Sequence, residues 1–214
     1  GMKRKRVGVV LFEEVESLDF CGPYEVFTAA RLNDSRRREE PSPFEVVLVA
    51  EGSKAIAAAG GMRVIPDYTF ENCPRLDILV VPGGWGTRRQ LRNVNLLKWL
   101  HRRAAEVEIV AAVCTGSMLL GFAGLLDGHR ATTHWRSLDW MRESFPRATV
   151  VDDAHVVEDG TVITSAGISA GIDMALKVVA RTWGQRIARE TARHMEYPYP
   201  DSNARRIAFE PAPS

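Results

Sequence analysis

The sequence predicts an α/β fold: a three-layer sandwich in which a mostly parallel sheet carries helices on both faces. Two observations predict it. Strand-like and helix-like segments alternate along most of the chain, as in sheets whose parallel strands are joined by helical crossovers. Three strand-like segments are also apolar throughout, as strands covered on both faces are: Val7 to Phe12, Ile78 to Val81 and Ile109 to Val113.

The first half of the chain is predicted to begin strand, helix, strand. A helix follows the first strand, because Asp19 is a candidate N-cap and Pro23 suits a first turn, and it runs to about Leu32. The remaining elements of this half are, in order, a charged loop from Asn33 to Pro43, a strand from Phe44 to Ala50 and a small β-hairpin within 52–72.

The second half repeats the unit of apolar strand, turn and helix. Its predicted elements beyond the two apolar strands are a helix from Asn93 to Glu106, a helix from Met118 to Ala123, a strand from Ala131 to Thr133, a helix from Trp135 to Ser144, β segments at 148–151 and 155–164, and a helix from Ser169 to Thr182. We expect one domain over residues 6–197, with irregular termini at 1–5 and 198–214.

Composition and charge exclude several classes of protein. The 214 residues carry 28 basic and 27 acidic side chains, a formal net charge of +1, and 45% of residues are hydrophobic. Such a chain is globular rather than disordered, and its balanced charge gives no overall attraction to nucleic acid. No segment approaches the roughly 20 apolar residues of a membrane span, and the basic N-terminal run is too short for a secretory signal. We therefore expect a soluble cytoplasmic protein.

Cysteine and histidine usage argues against disulfides and metal ions. Cys21, Cys73 and Cys114 are an odd number and are not clustered, which favours free thiols in a reducing compartment. The five histidines show no ligand spacing with acids or cysteines. We expect no metal site.

Three unusual peptides follow predicted strands, at the edge of a parallel sheet where ligands bind. They are Leu18-Asp19, Gly83-Gly84 and Cys114. Cys114 stands where an apolar strand turns into a helix, as a nucleophile elbow does, and the helix start is expected to lower the pKa of its thiol. The alternative is a small buried side chain, the commonest state of an unpaired cysteine.

The neighbouring candidates each have a structural alternative as well. Asp19 could exchange a proton beside the thiol or simply cap its helix. Gly83 and Gly84 suit a turn and also let backbone N–H groups approach a developing anion. His134 suggests a Cys/His dyad, although a single histidine at a strand end is more often structural.

Three motifs give the chain a recognisable resemblance: Ala112 to Ser117, Gly124 to Gly128, and Ala131 to Trp135. With Leu18-Asp19 and an extent from Val7 through Tyr197, they resemble the ThiJ/PfpI superfamily of class I glutamine-amidotransferase-like folds. Within it, the chain is most similar to the isonitrile (isocyanide) hydratase branch. The resemblance implies hydration of R–N≡C to an N-substituted formamide.

The same resemblance implies residue roles. Cys114 would attack the isonitrile carbon to form a thioimidate, Asp19 would supply the proton and position water, and the Thr115 hydroxyl would tune the thiolate. Backbone amides near Gly84 and Thr115 would orient the site, with Gly83, Gly84 and Trp85 in the substrate and oxyanion region. No metal or organic cofactor is implied.

Two departures from the hydratase pattern stand near the predicted site. Cys21 replaces a threonine, and Trp85 adds a bulky ring directly after the glycine pair, where it could fill space that a substrate needs. His134 matches a histidine of other branches and is given, with Cys21, a supporting role only.

Alternative functions remain open in the sequence. The same domain forms the sensor part of AraC-type transcription regulators, and an elbow thiolate is also an oxidation target. Only about 30 residues follow the last predicted helix, too few for two helix-turn-helix motifs, so we expect no direct nucleic-acid binding. Other branches are amidases, peptidases or glyoxalases that share the cysteine, and members are commonly homodimers.

Overall fold

A central sheet of seven strands organises the computed structural model, which describes residues 3–206. The strand order is β10-β11-β7-β6-β1-β2-β5, and every neighbouring pair is parallel except the antiparallel β10 and β11. The seven strands are β1 (Lys5–Val10), β2 (Phe44–Ala50), β5 (Tyr68–Thr69), β6 (Ile78–Val81), β7 (Ile109–Val113), β10 (Val156–Asp159) and β11 (Val162–Ser165). Four short strands pair off the main sheet: β3 (Ile56–Ala57) with β4 (Arg63–Val64), and β8 (Arg130–Ala131) with β9 (Thr149–Val150).

Helices cover the sheet in two groups. One group packs α1, α6 and α7 against one another, and the other packs α3 with α4 and α2 with α4. The helices are α1 (Ser17–Ala29), α2 (Thr87–Gln90), α3 (Val94–Ala104), α4 (Gly116–Phe122), α5 (Leu138–Ser144), α6 (Ala170–Trp183) and α7 (Gln185–His194). The predicted three-layer α/β sandwich is therefore confirmed. No helix within residues 3–206 is both long and apolar enough to cross a membrane.

Three predicted strands have the observed first and last residues, whereas the bounds of other predicted strands differ from the observed ones. The strands β2, β6 and β7 have the predicted bounds, because each is a continuous apolar run. The first strand begins and ends two residues earlier than predicted, so Lys5 lies in a strand and not in an irregular terminus. Of the predicted irregular tail, residues 198–206 contain no helix or strand, and residues 207–214 lie outside the described part.

The helix α1 differs from its prediction at its beginning. It starts at Ser17, so Pro23 lies in the second turn rather than the first. The N-cap residue is Glu16, which makes no side-chain capping bond. Asp19 does not cap the helix, because its carboxyl is hydrogen-bonded to a distant backbone amide instead.

Two helices and one strand of the main sheet were not predicted from the sequence. The 52–72 segment contains the predicted hairpin, β3 with β4, but also adds β5 to the edge of the main sheet. The helices α2 and α7 were not predicted. Gly184, with φ of 101°, separates α7 from α6. The signal for α7 was the helical spacing of its buried residues, which are Ile187, Ala188, Thr191 and Ala192.

The strands β11, β7, β6 and β1 are adjacent and parallel, so their carboxyl ends meet at one edge of the sheet. The segments that leave this edge carry Gly167, Cys114, Gly83 and, at the start of α1, Asp19. The topology thus gathers residues that are far apart in the chain, as expected for open parallel sheets.

Candidate active site

Cys114 lies on a tight turn between β7 and α4. Its φ is 58°, a left-handed conformation that is strained for a residue with a side chain. Two hydroxyl groups hold the turn by donating to the Cys114 carbonyl: Thr133 Oγ1 at 2.9 Å and Ser117 Oγ at 3.0 Å. The turn therefore has the strained strand-to-helix geometry that the sequence predicts for an elbow. Gly116 and Ser117, at the start of α4, are buried.

Asp19 is a buried carboxyl beside this cysteine. Its side chain has no solvent exposure, and its Oδ2 accepts a 2.9 Å hydrogen bond from the Gly83 N–H. The other oxygen, Oδ1, is buried and makes no well-aligned hydrogen bond with any described residue. Such an oxygen is better satisfied when it carries a proton.

Burial determines the protonation of Asp19. Loss of hydration raises the pKa of its carboxyl from 3.8 to about 8, and the negative charge of Glu16 also raises it. The Gly83 N–H and the Cys114 thiol lower the pKa only in part. At neutral pH Asp19 therefore carries its proton and can act as a general acid.

The thiol of Cys114 also keeps its proton. Burial raises its pKa well above 9.0, and the neighbouring Asp19 and Glu16 carboxyls raise it further. The backbone and hydroxyl groups of Thr115 hydrogen-bond the sulfur and lower the pKa, in the direction predicted for Thr115. The expectation of a low thiol pKa is corrected, because desolvation outweighs the local effect of the helix start.

Gly83 and Gly84 donate backbone hydrogen bonds to side chains of the candidate site. The Gly83 N–H is engaged by Asp19, and the Gly84 N–H donates to Thr115 Oγ1 at 3.1 Å. Neither amide is free, which differs from the oxyanion role predicted for them. The Thr87 and Thr115 hydroxyls lie 2.9 Å apart. Since the Thr115 proton is directed to the sulfur, Thr87 is the donor of this bond.

We expect Gly83→Ala to destabilise the fold. A methyl group there would lie 2.3 Å from Thr115 Oγ1 and 2.6 Å from the Thr115 nitrogen. The free energy of unfolding, measured by urea denaturation, should fall by about 2 kcal/mol. Gly52→Ala is the control, because nothing lies within 4 Å of its added methyl. Equal stability of the two variants would contradict the close approach.

A cavity of about 450 Å³ opens onto Cys114 and Thr115. Glu16 and Ile168 line it, and on one wall the Arg88 guanidinium lies 4.2 Å from the centre of the Trp140 ring. Trp85 stands at the mouth with 83% of its surface exposed. It therefore leaves the cavity open, contrary to the expectation that its ring could fill the substrate space.

His134 and Cys21 play different parts from the central pair. His134 lines the cavity, but its Nδ1 accepts the Arg136 N–H at 3.1 Å. Burial and the charges of Arg136 and Arg205 lower its pKa, so it is neutral. No hydrogen bond joins it to Cys114 among the described residues. Cys21 is a half-buried free thiol that is absent from the lining of this cavity.

Two further residues of the candidate site were not predicted from the sequence, namely Glu16 and Thr87. Glu16 lines the cavity and its charge raises the pKa values of Asp19 and Cys114, and the Thr87 hydroxyl lies 2.9 Å from the Thr115 hydroxyl. The available signal for Glu16 was its position one helical turn before Asp19. Within residues 3–206 no three metal-ligating side chains come close enough to hold an ion.

The chain is similar in sequence and in fold to known proteins. A model of the DJ-1/PfpI family matches residues 5–181. Isonitrile hydratase of Pseudomonas putida is 38% identical over 192 residues, which cover 90% of this chain and 78% of the relative. A crystal structure of a ThiJ/PfpI family protein from Pseudomonas syringae matches with a TM-score of 0.81 and 30% identity, covering 94% of this chain and 79% of that chain.

A transcription regulator is similar over a shorter stretch. The HTH-type transcriptional regulator CdhR of Pseudomonas aeruginosa is 37% identical over 142 residues, which cover 66% of this chain. The aligned part spans 41% of the regulator's own length. The resemblance seen in the motifs is confirmed by the family match and the shared fold, and this chain belongs to the DJ-1/PfpI family.

Proposed function

We propose that the protein hydrates isonitriles, R–N≡C + H₂O → R–NH–CHO, with Cys114 as the nucleophile and Asp19 as the acid and base. The observation that carries the proposal is a protonated carboxyl, with a pKa of about 8, next to a cysteine on an elbow at an open cavity. The similarity to isonitrile hydratase over 90% of this chain supports the same reaction.

A neutral acid and thiol suit this substrate. The terminal carbon of an isonitrile holds a lone pair, and it accepts a nucleophile readily only when a proton is delivered to that carbon. A buried acid that stays protonated at neutral pH supplies this proton, whereas an ionised aspartate could not. The substrate itself bears no net charge at the reacting group, so a desolvated site does not exclude it.

The first step forms a thioimidate. The sulfur of Cys114 bonds to the terminal carbon, the Asp19 carboxyl gives its proton to that carbon, and the thiol proton passes to Asp19. The product is R–N=CH–S–Cys114, and Asp19 is again protonated. The Thr115 groups that hydrogen-bond the sulfur stabilise its negative charge while the bond forms.

The second step adds water. The water oxygen bonds to the thioimidate carbon while Asp19 transfers a proton to the nitrogen and takes one from the water. The adduct R–NH–CH(OH)–S–Cys114 then breaks its carbon–sulfur bond, and the hydroxyl proton returns to the sulfur through Asp19. The formamide leaves and the resting thiol is restored.

We expect the purified protein to convert cyclohexyl isocyanide to N-cyclohexylformamide. The product is measured by liquid chromatography and mass spectrometry. When the reaction is run in water labelled with heavy oxygen, the formamide should contain one labelled oxygen atom. Protein that has been alkylated at its thiols is the control. Binding of the isocyanide without any formamide would overturn the hydratase and support a ligand-binding sensor.

The raised pKa of Cys114 argues against a second candidate, a peroxide sensor. Peroxide oxidises the thiolate, and burial together with Asp19 disfavours that form here. A thiol that stays protonated until it reacts within the site fits an enzyme better than an oxidation sensor.

A further inference from the structure

A second cavity, of about 370 Å³, adjoins the one at Cys114. The two cavities share His134 and Ile168 as a common wall. We call the second one the basic chamber and define it by its other polar lining residues: His155, Ser169, Arg205 and Arg206.

The basic chamber carries more positive than negative charge. Arg206 forms an ion pair with the buried carboxylate of Asp173, which also accepts a 2.5 Å hydrogen bond from the Tyr197 hydroxyl. His155 contributes no charge, because burial and the Arg206 guanidinium lower its pKa. The Asp173 carboxylate therefore neutralises Arg206, and the positive charge of Arg205 is left without a paired carboxylate in the chamber.

Arg205 has no carboxylate partner within 4.0 Å among residues 3–206. It donates to neutral acceptors, Thr132 Oγ1 at 2.5 Å and the Thr133 carbonyl at 3.1 Å. Its Nε is buried without an acceptor in the described residues. Asp152 attracts it from a distance but is itself paired with Arg142 at 2.9 Å. A half-buried guanidinium in this state is short of an anion.

His155 gives a second, independent sign of a missing acceptor. The ring is 7% exposed, and its Nε2 accepts a 2.9 Å bond from Arg206. Nδ1 therefore carries the proton of the neutral ring, and it is buried with no hydrogen-bond partner in the described residues. Two donors in one wall thus lack acceptors, which is unusual for buried groups.

The basic chamber is connected to the reacting sulfur through Thr133. The Thr133 carbonyl accepts from Arg205, and the Thr133 hydroxyl donates to the carbonyl of Cys114. The charge of Arg205 also lowers the pKa of His134, which lines both cavities. A molecule with its reacting carbon at Cys114 must pass the His134 ring to reach the Arg205 guanidinium, and the binding mode proposed below requires that passage.

We propose that the basic chamber binds a carboxylate on the side group of the substrate, so that the preferred isonitriles are isocyano acids. This inference rests on the proposed function for the identity of the reacting group. The planar Arg205 guanidinium matches a carboxylate, and such charge-assisted bonds are about twice as strong as neutral ones. The chamber then selects among isonitriles and orients the one it holds.

The test compares matched substrates on matched variants. Wild type should hydrate 4-isocyanobenzoate or an ω-isocyanoalkanoate with a kcat/KM at least about tenfold above that of the corresponding methyl ester. Arg205→Gln should reduce the ratio of kcat/KM for the acid to that for its ester to about one, whatever it does to the ester alone, and Arg205→Lys should restore part of the ratio. Arg147→Gln, an 82% exposed arginine elsewhere, is the control. An equal preference in wild type and Arg205→Gln would overturn the proposal.

A binding experiment keeps the two proposals separate. If wild type hydrates no isonitrile, the proposed function fails, and the chamber is then tested with benzoate against benzamide by calorimetry. The dissociation constant for benzoate should rise about tenfold in Arg205→Gln, whereas benzamide should bind neither protein measurably. Equal binding of benzoate to both proteins, with unchanged thermal stability, would refute the carboxylate site itself.

Discussion

Cys114→Ala should abolish isonitrile hydration, with a loss of at least about four orders of magnitude in kcat/KM. No other described side chain at the cavity can replace the sulfur, because Thr115 hydroxyl attack would need a base that the protonated Asp19 does not provide. Cys114→Ser should be nearly as inactive, since a hydroxyl is the weaker nucleophile. The assay is formamide production from cyclohexyl isocyanide.

Two measurements make this result specific. Cys73→Ala, which removes a buried thiol from the core, should lower stability slightly and leave kcat/KM within about twofold. Mass spectrometry of wild type quenched during turnover should find the isocyanide mass on the peptide that contains Cys114. Turnover by Cys114→Ala at the wild-type rate would contradict a covalent mechanism at Cys114.

Asp19→Asn should make the protein inactive and more stable at the same time. The variant keeps an acceptor for the Gly83 N–H but has no proton to give to the isonitrile carbon. It also removes a carboxyl that folding takes out of water. Catalytic groups that are destabilising in this way are a general source of the trade-off between stability and activity.

The sign of the pH dependence follows from the pKa values. In the unfolded chain Asp19 ionises near pH 3.8, whereas in the folded protein it keeps its proton up to about pH 8. The folded state therefore binds the extra proton between these values, and stability decreases as pH rises through that interval. Activity should fall above about pH 8, where the general acid is lost.

Urea denaturation at pH 5 and pH 8 tests this linkage. At pH 8, Asp19→Asn should be more stable than wild type by about 2 kcal/mol. The gain is smaller than the full linkage, because the new amide nitrogen lacks an acceptor where Oδ1 has no partner. Asp127→Asn, an exposed carboxylate with 62% of its side chain accessible, is the control and should change little. A less stable Asp19→Asn at pH 8 would show that the carboxyl is ionised and satisfied.

Several features followed from local sequence. The strands at 44–50, 78–81 and 109–113 were predicted at their true bounds because continuous apolar runs admit few other structures. The place of Cys114 followed from such a strand ending in Cys-Thr-Gly. Asp19 and Gly83 could be associated with it because parallel strands bring their carboxyl ends to one edge.

The chain alone did not determine the protonation of these groups or the shape of their surroundings. Cys114 and Asp19 are buried only in the folded chain, and this burial reversed the expected shift of the thiol pKa. Arg205 approaches Thr133 across 72 positions of chain, so no motif could mark it. Local patterns determine which elements form, since propensity and periodicity act over a few residues. Hydration and charge depend on what folding brings near, and only the tertiary structure decides that.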